Sequence, residues 1–308
     1  ASIAVGVFSI GMIAGTYVII SHDMGASYAS ANPANIDLLT DAFDQDFVNT
    51  IQRLDGVQSA EGRRIFSVRA RVPGGEWARL DLVALGDFDQ IQINHLTLQA
   101  GNPLPEDRQL VVERGALEDL PVAVGDSLEI QLPNGSIKSM PVAAVVLDQA
   151  TGAGDFLAPP FAYVPFDTLE WLGQPSSYNR LYITVSGDGN DETLIRQISV
   201  LVSDRVEKSG RQVYRTQLNE TNNHPMASTV QAILGILFAL GILIVLLSSS
   251  LIANTLNALL TQHTAQIGMM KLVGARSYQV FSMYIVLIVI FGSIALLIAV
   301  PAGGQAAY

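Results

Sequence analysis

The chain has 308 residues, of which 49% are hydrophobic and 15% charged, and its mean hydropathy is +0.35, more apolar than an average soluble protein. Its formal net charge of −11 offers no basic footprint for nucleic acid. The absence of cysteine excludes a disulfide framework, a cysteine-based metal site and a thiol nucleophile.

The charge is segregated along the chain. All 28 acidic residues fall between Asp23 and Glu220, together with 15 of the 17 basic ones, so the middle carries −13. Lys271 and Arg276 are the only charged residues outside it. Residues 1–20 contain no charge and match the length of a helix crossing a hydrocarbon core of about 30 Å. Glycines at 6, 11 and 15, with Ser9 and Thr16, suit close packing on other helices. A secretory signal is the rival reading, favoured by Ala29-Ser30-Ala31. The apolar stretch is longer than such a segment needs, and no basic leader precedes it. The missing initiator Met gives the expectation of a chain that starts within a longer protein.

Residues 21–35 are small, polar and turn-rich and read as a linker. A helix is predicted next, capped by Thr40 and stopped at Gly56, with Phe43, Phe47, Ile51 and Leu54 on one face. Strand patterns follow over 65–72 and 77–85 around the turn Pro73-Gly74-Gly75. Residues of about 100–165 are strand-rich, with turns at Pro133-Asn134-Gly135 and Gly152-Ala153-Gly154. Then come a strand over 181–185, a helix over 191–208 with Leu194, Ile195, Ile198, Leu201 and Val202 at helical spacing, and a strand over 212–216. The expected extracytoplasmic domain, 21–225, is therefore α+β. It consists of a small α/β layer with an inserted β-rich subdomain at about 100–165.

From 226 to 262 there is again no acidic or basic residue, and the stretch exceeds the bilayer thickness, which predicts a tilted span with a stalk. Asn254 and Asn257 read as interfacial or interhelical. A third apolar span is expected over 278–300, ended by Pro301 and Gly303-Gly304. The connection between these spans, 263–277, holds Lys271 and Arg276 and no acid, which places it in the cytoplasm by the positive-inside rule. The acidic middle then lies outside, in a multi-pass protein of the plasma or inner membrane in contact with lipid. Three spans leave the C-terminus outside, so a fourth span beyond it is expected.

The stretch from Gln266 to Ser277 (QIGMMKLVGARS) resembles the cytoplasmic signature of the MacB/FtsX-like ABC transporter permeases, which commonly reads Arg-Glu-Ile-Gly, then apolar and basic residues, then Gly-Ala-Ser/Thr. Leu98–Gly101, Gln109–Val112 and Val124–Ile130 resemble that family's outer-domain pattern. Two departures are Ala265-Gln266 in place of Arg-Glu, and Asn102-Pro103 where an Arg often follows the Gly. The resemblance spans the whole chain. It implies a permease half whose cytoplasmic coupling helix docks on a separate ABC ATP-binding subunit, with a second permease half or a second copy as partner. Gln266, Ile267, Gly268, Met270, Lys271 and Leu272 would form that helix, and Gly274, Ala275 and Arg276 the turn after it. Gly274 suits a left-handed helix stop and Ser277 a cap for the next helix. An ordinary turn, with Lys271 and Arg276 anchored to lipid headgroups, is the plainer alternative.

No phosphate-cradling Gly-rich loop precedes Lys138-Ser139, so ATP is expected on the partner, with no cofactor on this chain and no enzymatic activity of its own. The four histidines are scattered without metal-ligand spacing. Two other functions stay open: a ligand-sensing membrane receptor, and a non-transporting regulator that drives a cell-wall hydrolase by mechanotransmission.

Overall fold

The computed structural model describes residues 2–151, 159–274 and 276–307. They form two units, one of residues 25–226 and the other of 1–24 with 227–308. In chain order the elements of the first are the C-terminal end of helix α1 (Ser2–Ser30), β1 (Ile36–Phe43), α2 (Gln45–Gln52), β2 (Val57–Arg71), β3 (Ala78–Leu85), β4 (Leu96–Gly101), β5 (Leu110–Glu113), β6 (Ser127–Gln131), β7 (Ile137–Asp148), β8 (Phe161–Pro165), α3 (Thr168–Trp171), β9 (Tyr178–Val185), α4 (Glu192–Lys208) and β10 (Val213–Leu218).

The long strand β2 belongs to two sheets. Its first half pairs with β9, and the layer runs β10-β1-β9-β2. Helices α2 and α4 cover this layer, burying Phe47 and Ile51, and Ile195, Ile198, Val202 and Val206, against Ile36, Leu38, Leu181 and Ile183. Asp191 starts α4 by accepting from the Thr193 and Leu194 N–H groups at 2.9 and 3.2 Å, satisfying donors that have no partner within the helix.

The second half of β2 pairs with β3 and β6. From there the pairings β3–β8, β8–β5, β5–β7 and β7–β6 return to β2, closing a six-stranded barrel with β4 added outside on β7. Alternate residues face inward, as the strand period of two requires: Val68 and Ala70, Leu80 and Leu82, Leu110 and Val112, Leu128 and Ile130, Met140 and Val142, all buried. On β7 the inward set would continue to Ala144 and Val146. A bulge at Ala143, between the pairs Leu110↔Val142 and Val111↔Ala144, turns them outward instead. There they join Val83, Leu85, Val111 and Tyr163 in a second apolar cluster on the barrel's outer face.

Layer and barrel are tied by a buried cation. Arg63, 1% exposed on β2, donates to the Ile93 carbonyl oxygen, approaches Glu61 at 3.4 Å and lies 4.9 Å from the centre of the Tyr182 ring. Burial works to lower its pKa, but Tyr182 and Glu61 outweigh that and leave it raised. Asn35 ties the domain's two ends. Its amide donates to Gly189 O, Asn219 O and Thr221 Oγ1 at 3.2, 3.2 and 3.0 Å, and its Oδ1 accepts from the Val185 N–H at 3.0 Å.

Several boundaries differ from those read off the sequence. Residues 40–43 belong to β1, and the helix starts after Asp44, whose side chain accepts from the Phe47 N–H at 2.9 Å; Thr40 is no cap. The reason is tertiary: β1 is bordered by strands on both sides, and that pairing overrides the local helical spacing. Much of the segment 21–35 is helical, because α1 runs on to Ser30. The β-rich part begins on β2, well before residue 100. The turn Gly152-Ala153-Gly154 lies outside the described residues.

The second unit contains the rest of α1 with α5 (Ala227–Gln262), α6 (Thr264–Leu272) and α7 (Ser277–Ala307). Helix α5, 36 residues without Asp, Glu, Lys or Arg, is long and apolar enough to cross a membrane. At 1.5 Å per residue it extends about 54 Å. It buries only Leu234 and Gly241 among its described side chains, while Leu246 and Leu247 are 62% and 63% exposed. Helix α7, of 31 residues, continues through Pro301 to Ala307 and does not stop before it.

Candidate functional site

The polypeptide between α5 and α7 is set by hydroxyl and glycine chemistry. Helix α5 ends at Gln262, and α6 begins two residues later. Thr261 and Thr264 bond back to the Asn257 and Leu260 carbonyl oxygens at 2.8 and 3.1 Å, a pattern that bends helices, and Thr264 also reaches Thr261 O at 2.8 Å. His263 stands at the cap position without a side-chain cap bond.

Helix α6 buries none of its side chains. Ile267 and Met270 are half-covered, whereas Met269, Leu272 and Val273 are 59%, 88% and 90% exposed. Leu272 is thus the coupling-helix apolar residue left open, and Val273 beside it went unnoticed in the sequence. Its signal was position: the last apolar residue before the glycine stop. Gln266, Gly268 and Lys271 are exposed as well.

Gly274 ends the helix with φ +103°, and its N–H donates to Lys271 O at 3.1 Å. A Cβ there would meet open space, so the requirement for glycine is conformational alone. Ala275 lies outside the described residues. Arg276 precedes the first helical residue of α7, and its backbone N–H donates to the Gln279 side chain at 2.9 Å, the back-reaching half of a capping box. Ser277, expected as the cap, is the first residue inside the helix. The element is therefore a short helix with an apolar tip, flanked by the cations Lys271 and Arg276 and separated from the next helix by a left-handed glycine.

Among the described residues no group of three or more His, Asp or Glu is placed to hold a metal ion.

No curated protein matches the chain. Among solved structures it is similar to the extracellular domain of the noncanonic ABC-type transporter YknZ from Gram-positive bacteria, at 16% identity and TM-score 0.40, over 58% of this chain and 100% of that one. It is also similar to the periplasmic region of MacB from Actinobacillus actinomycetemcomitans, at 15% identity and TM-score 0.40, over 70% and 97% of the two chains. Residues 227–308, which contain α5, the α6 turn and α7, match the family model of the FtsX-like permease C-terminal domain.

Proposed function

We propose that the chain is the permease subunit of an ABC transporter and that α6 couples it to a separate ATP-binding subunit. The observation that carries this reading is the open apolar tip of α6, Leu272 and Val273, within the segment that matches the permease family. A short helix that buries none of its side chains gains little from its own chain and presents a surface to a partner. The cations Lys271 and Arg276, with no acid nearby in sequence, support a cytoplasmic position for this turn. On that reading α1, α5 and α7 span the membrane and residues 25–226 lie outside. ATP is bound and hydrolysed by the partner, and displacement of α6 moves the outer domain to extrude, release or regulate a substrate.

The left-handed break at Gly274 is the feature to test. Gly274→Val forces a β-branched residue into a left-handed conformation, at a cost of about 1–2 kcal/mol, at a position where a Cβ meets open space. The variant should still co-purify with an ATP-binding subunit while the stimulation of that subunit's ATPase falls. An unchanged ATPase response in Gly274→Val, or failure of the unaltered chain to co-purify with any ATPase, would overturn the reading.

A further inference from the structure

The barrel's outer face carries an open cavity of about 310 Å³ between the 86–95 loop and β4. Val111 and Val146 form its floor, Phe88 and Ile91 come from the loop, and Leu96 and Leu98 from β4. Leu98 remains 42% exposed, an apolar side chain left open beside other apolar groups. Asp89 stands in the wall. Asp87 is close to it, and its hydrogen bond and charge push the Asp89 carboxyl up from its usual value. Among the described residues neither carboxylate has a Lys or Arg within ion-pair distance. Two carboxylates side by side without a counter-charge raise the cost of an anion here and reward a cation.

A third observation concerns the backbone. Strand β4 ends the sheet order and pairs only with β7, and its other edge has no strand partner among the described residues. A bulge between Leu98 and Ala100 limits the regular edge to Leu96–Leu98, of which Leu96 and Leu98 line the cavity. A free edge offers N–H and C=O groups that a peptide can pair with and a simple amine cannot use in register.

We propose that this cavity and edge bind an extended cationic peptide. One apolar side chain fills the space over Val111 and Val146, a neighbouring Lys or Arg meets Asp87 and Asp89, and the peptide backbone pairs with β4. The site is independent of the α6 coupling turn, and its test needs no ATPase.

The test is a titration of the detergent-solubilised full chain with fluorescein-labelled Lys-Leu-Lys-Val-Lys, with Glu-Leu-Glu-Val-Glu and dodecylamine as comparators. The basic peptide should bind, weaken as salt rises, and bind about tenfold less tightly to Asp87→Asn/Asp89→Asn, the loss expected for two partly exposed charge contacts. Leu98→Arg, at an exposed position that does not threaten folding, should abolish binding. N-methylation of the peptide's alternate amides should weaken it further. Equal binding of the acidic peptide, or no change in the Asn variants, would overturn the proposal. If dodecylamine displaces the peptide and N-methylation has no effect, the site takes small cationic amphiphiles and the strand-edge proposal is wrong.

Discussion

The two units handle apolar residues in opposite ways. In residues 25–226 they are inside: the barrel closes over Leu80, Leu82, Leu110 and Leu128, all fully buried, and charged groups cover the outside. In the helical unit they are outside, and α5 exposes Leu240, Leu243, Leu246 and Leu247 at 50% or more. A chain cannot satisfy both patterns in water. A barrel hides its apolar faces within itself, whereas a long helix satisfies its own backbone and leaves its side chains to whatever surrounds it. One sequence thus contains one unit that carries its own core and another that borrows one.

The sharpest way to break this comparison is to remove the same methyl groups from each unit. Leu82→Ala should cost about 2–5 kcal/mol of stability in residues 25–226, because the closed barrel cannot collapse around the space. Both tryptophans, Trp77 and Trp171, lie in that domain, so their fluorescence during denaturation reports it alone. Leu247→Ala should leave that transition in place; a matching shift would show that α5 shares that unit's core. A charge separates the units differently. Leu243→Asp should oppose membrane integration by about 2.5–3.5 kcal/mol, read as extraction at alkaline pH. Val200→Asp, at a 66% exposed position on α4, should stay within about 0.5 kcal/mol of the parent. Equal indifference at both sites would remove the case for lipid around α5.

The smallest effect is a titration confined to residues 25–226. The Asp41 carboxylate accepts from the Gln212 N–H at 2.8 Å and from the Tyr214 hydroxyl at 2.7 Å, and these bonds, the backbone one first, hold its pKa below the usual range. Its folded-state pKa is lower than its unfolded one, so its contribution is present above the unfolded value near 3.9 and is lost as pH falls through the folded value. Asp41→Asn should therefore flatten part of the stability loss below about pH 4 and leave the melt at pH 7 to 8 free of any added pH dependence. An acid limb identical to the parent's would assign the loss to other carboxylates.

What the sequence disclosed follows the range of the forces involved. The apolar run of α5 was legible because a charge-free stretch records its surroundings locally. Helix α4 was legible because Ile195, Ile198 and Val202 repeat at the helical period over a long segment, with strands β9 and β10 around it. The start of α2 was misread because what decides residues 40–43 is pairing to β9 and β10, whose partners lie more than a hundred residues away. The barrel's closure was invisible for the same reason, and so was the bulge at Ala143 that sends alternate residues of one strand to opposite sides. At the candidate site the glycine stop was plain, since only a local conformation is required of Gly274, whereas the exposure of Val273 needed coordinates.

The pairing of β1 with β10 has a mechanical side. Ile36 and Leu218 are partners, so the strands' outer ends meet, and a force drawing those ends apart would peel the ladder one rung at a time. Asn35 sits at the mouth of that seam and fastens it to Val185, Gly189, Asn219 and Thr221 at once. The first rung cannot yield until several bonds yield with it, which makes this end of the domain a stiff hitch for a load.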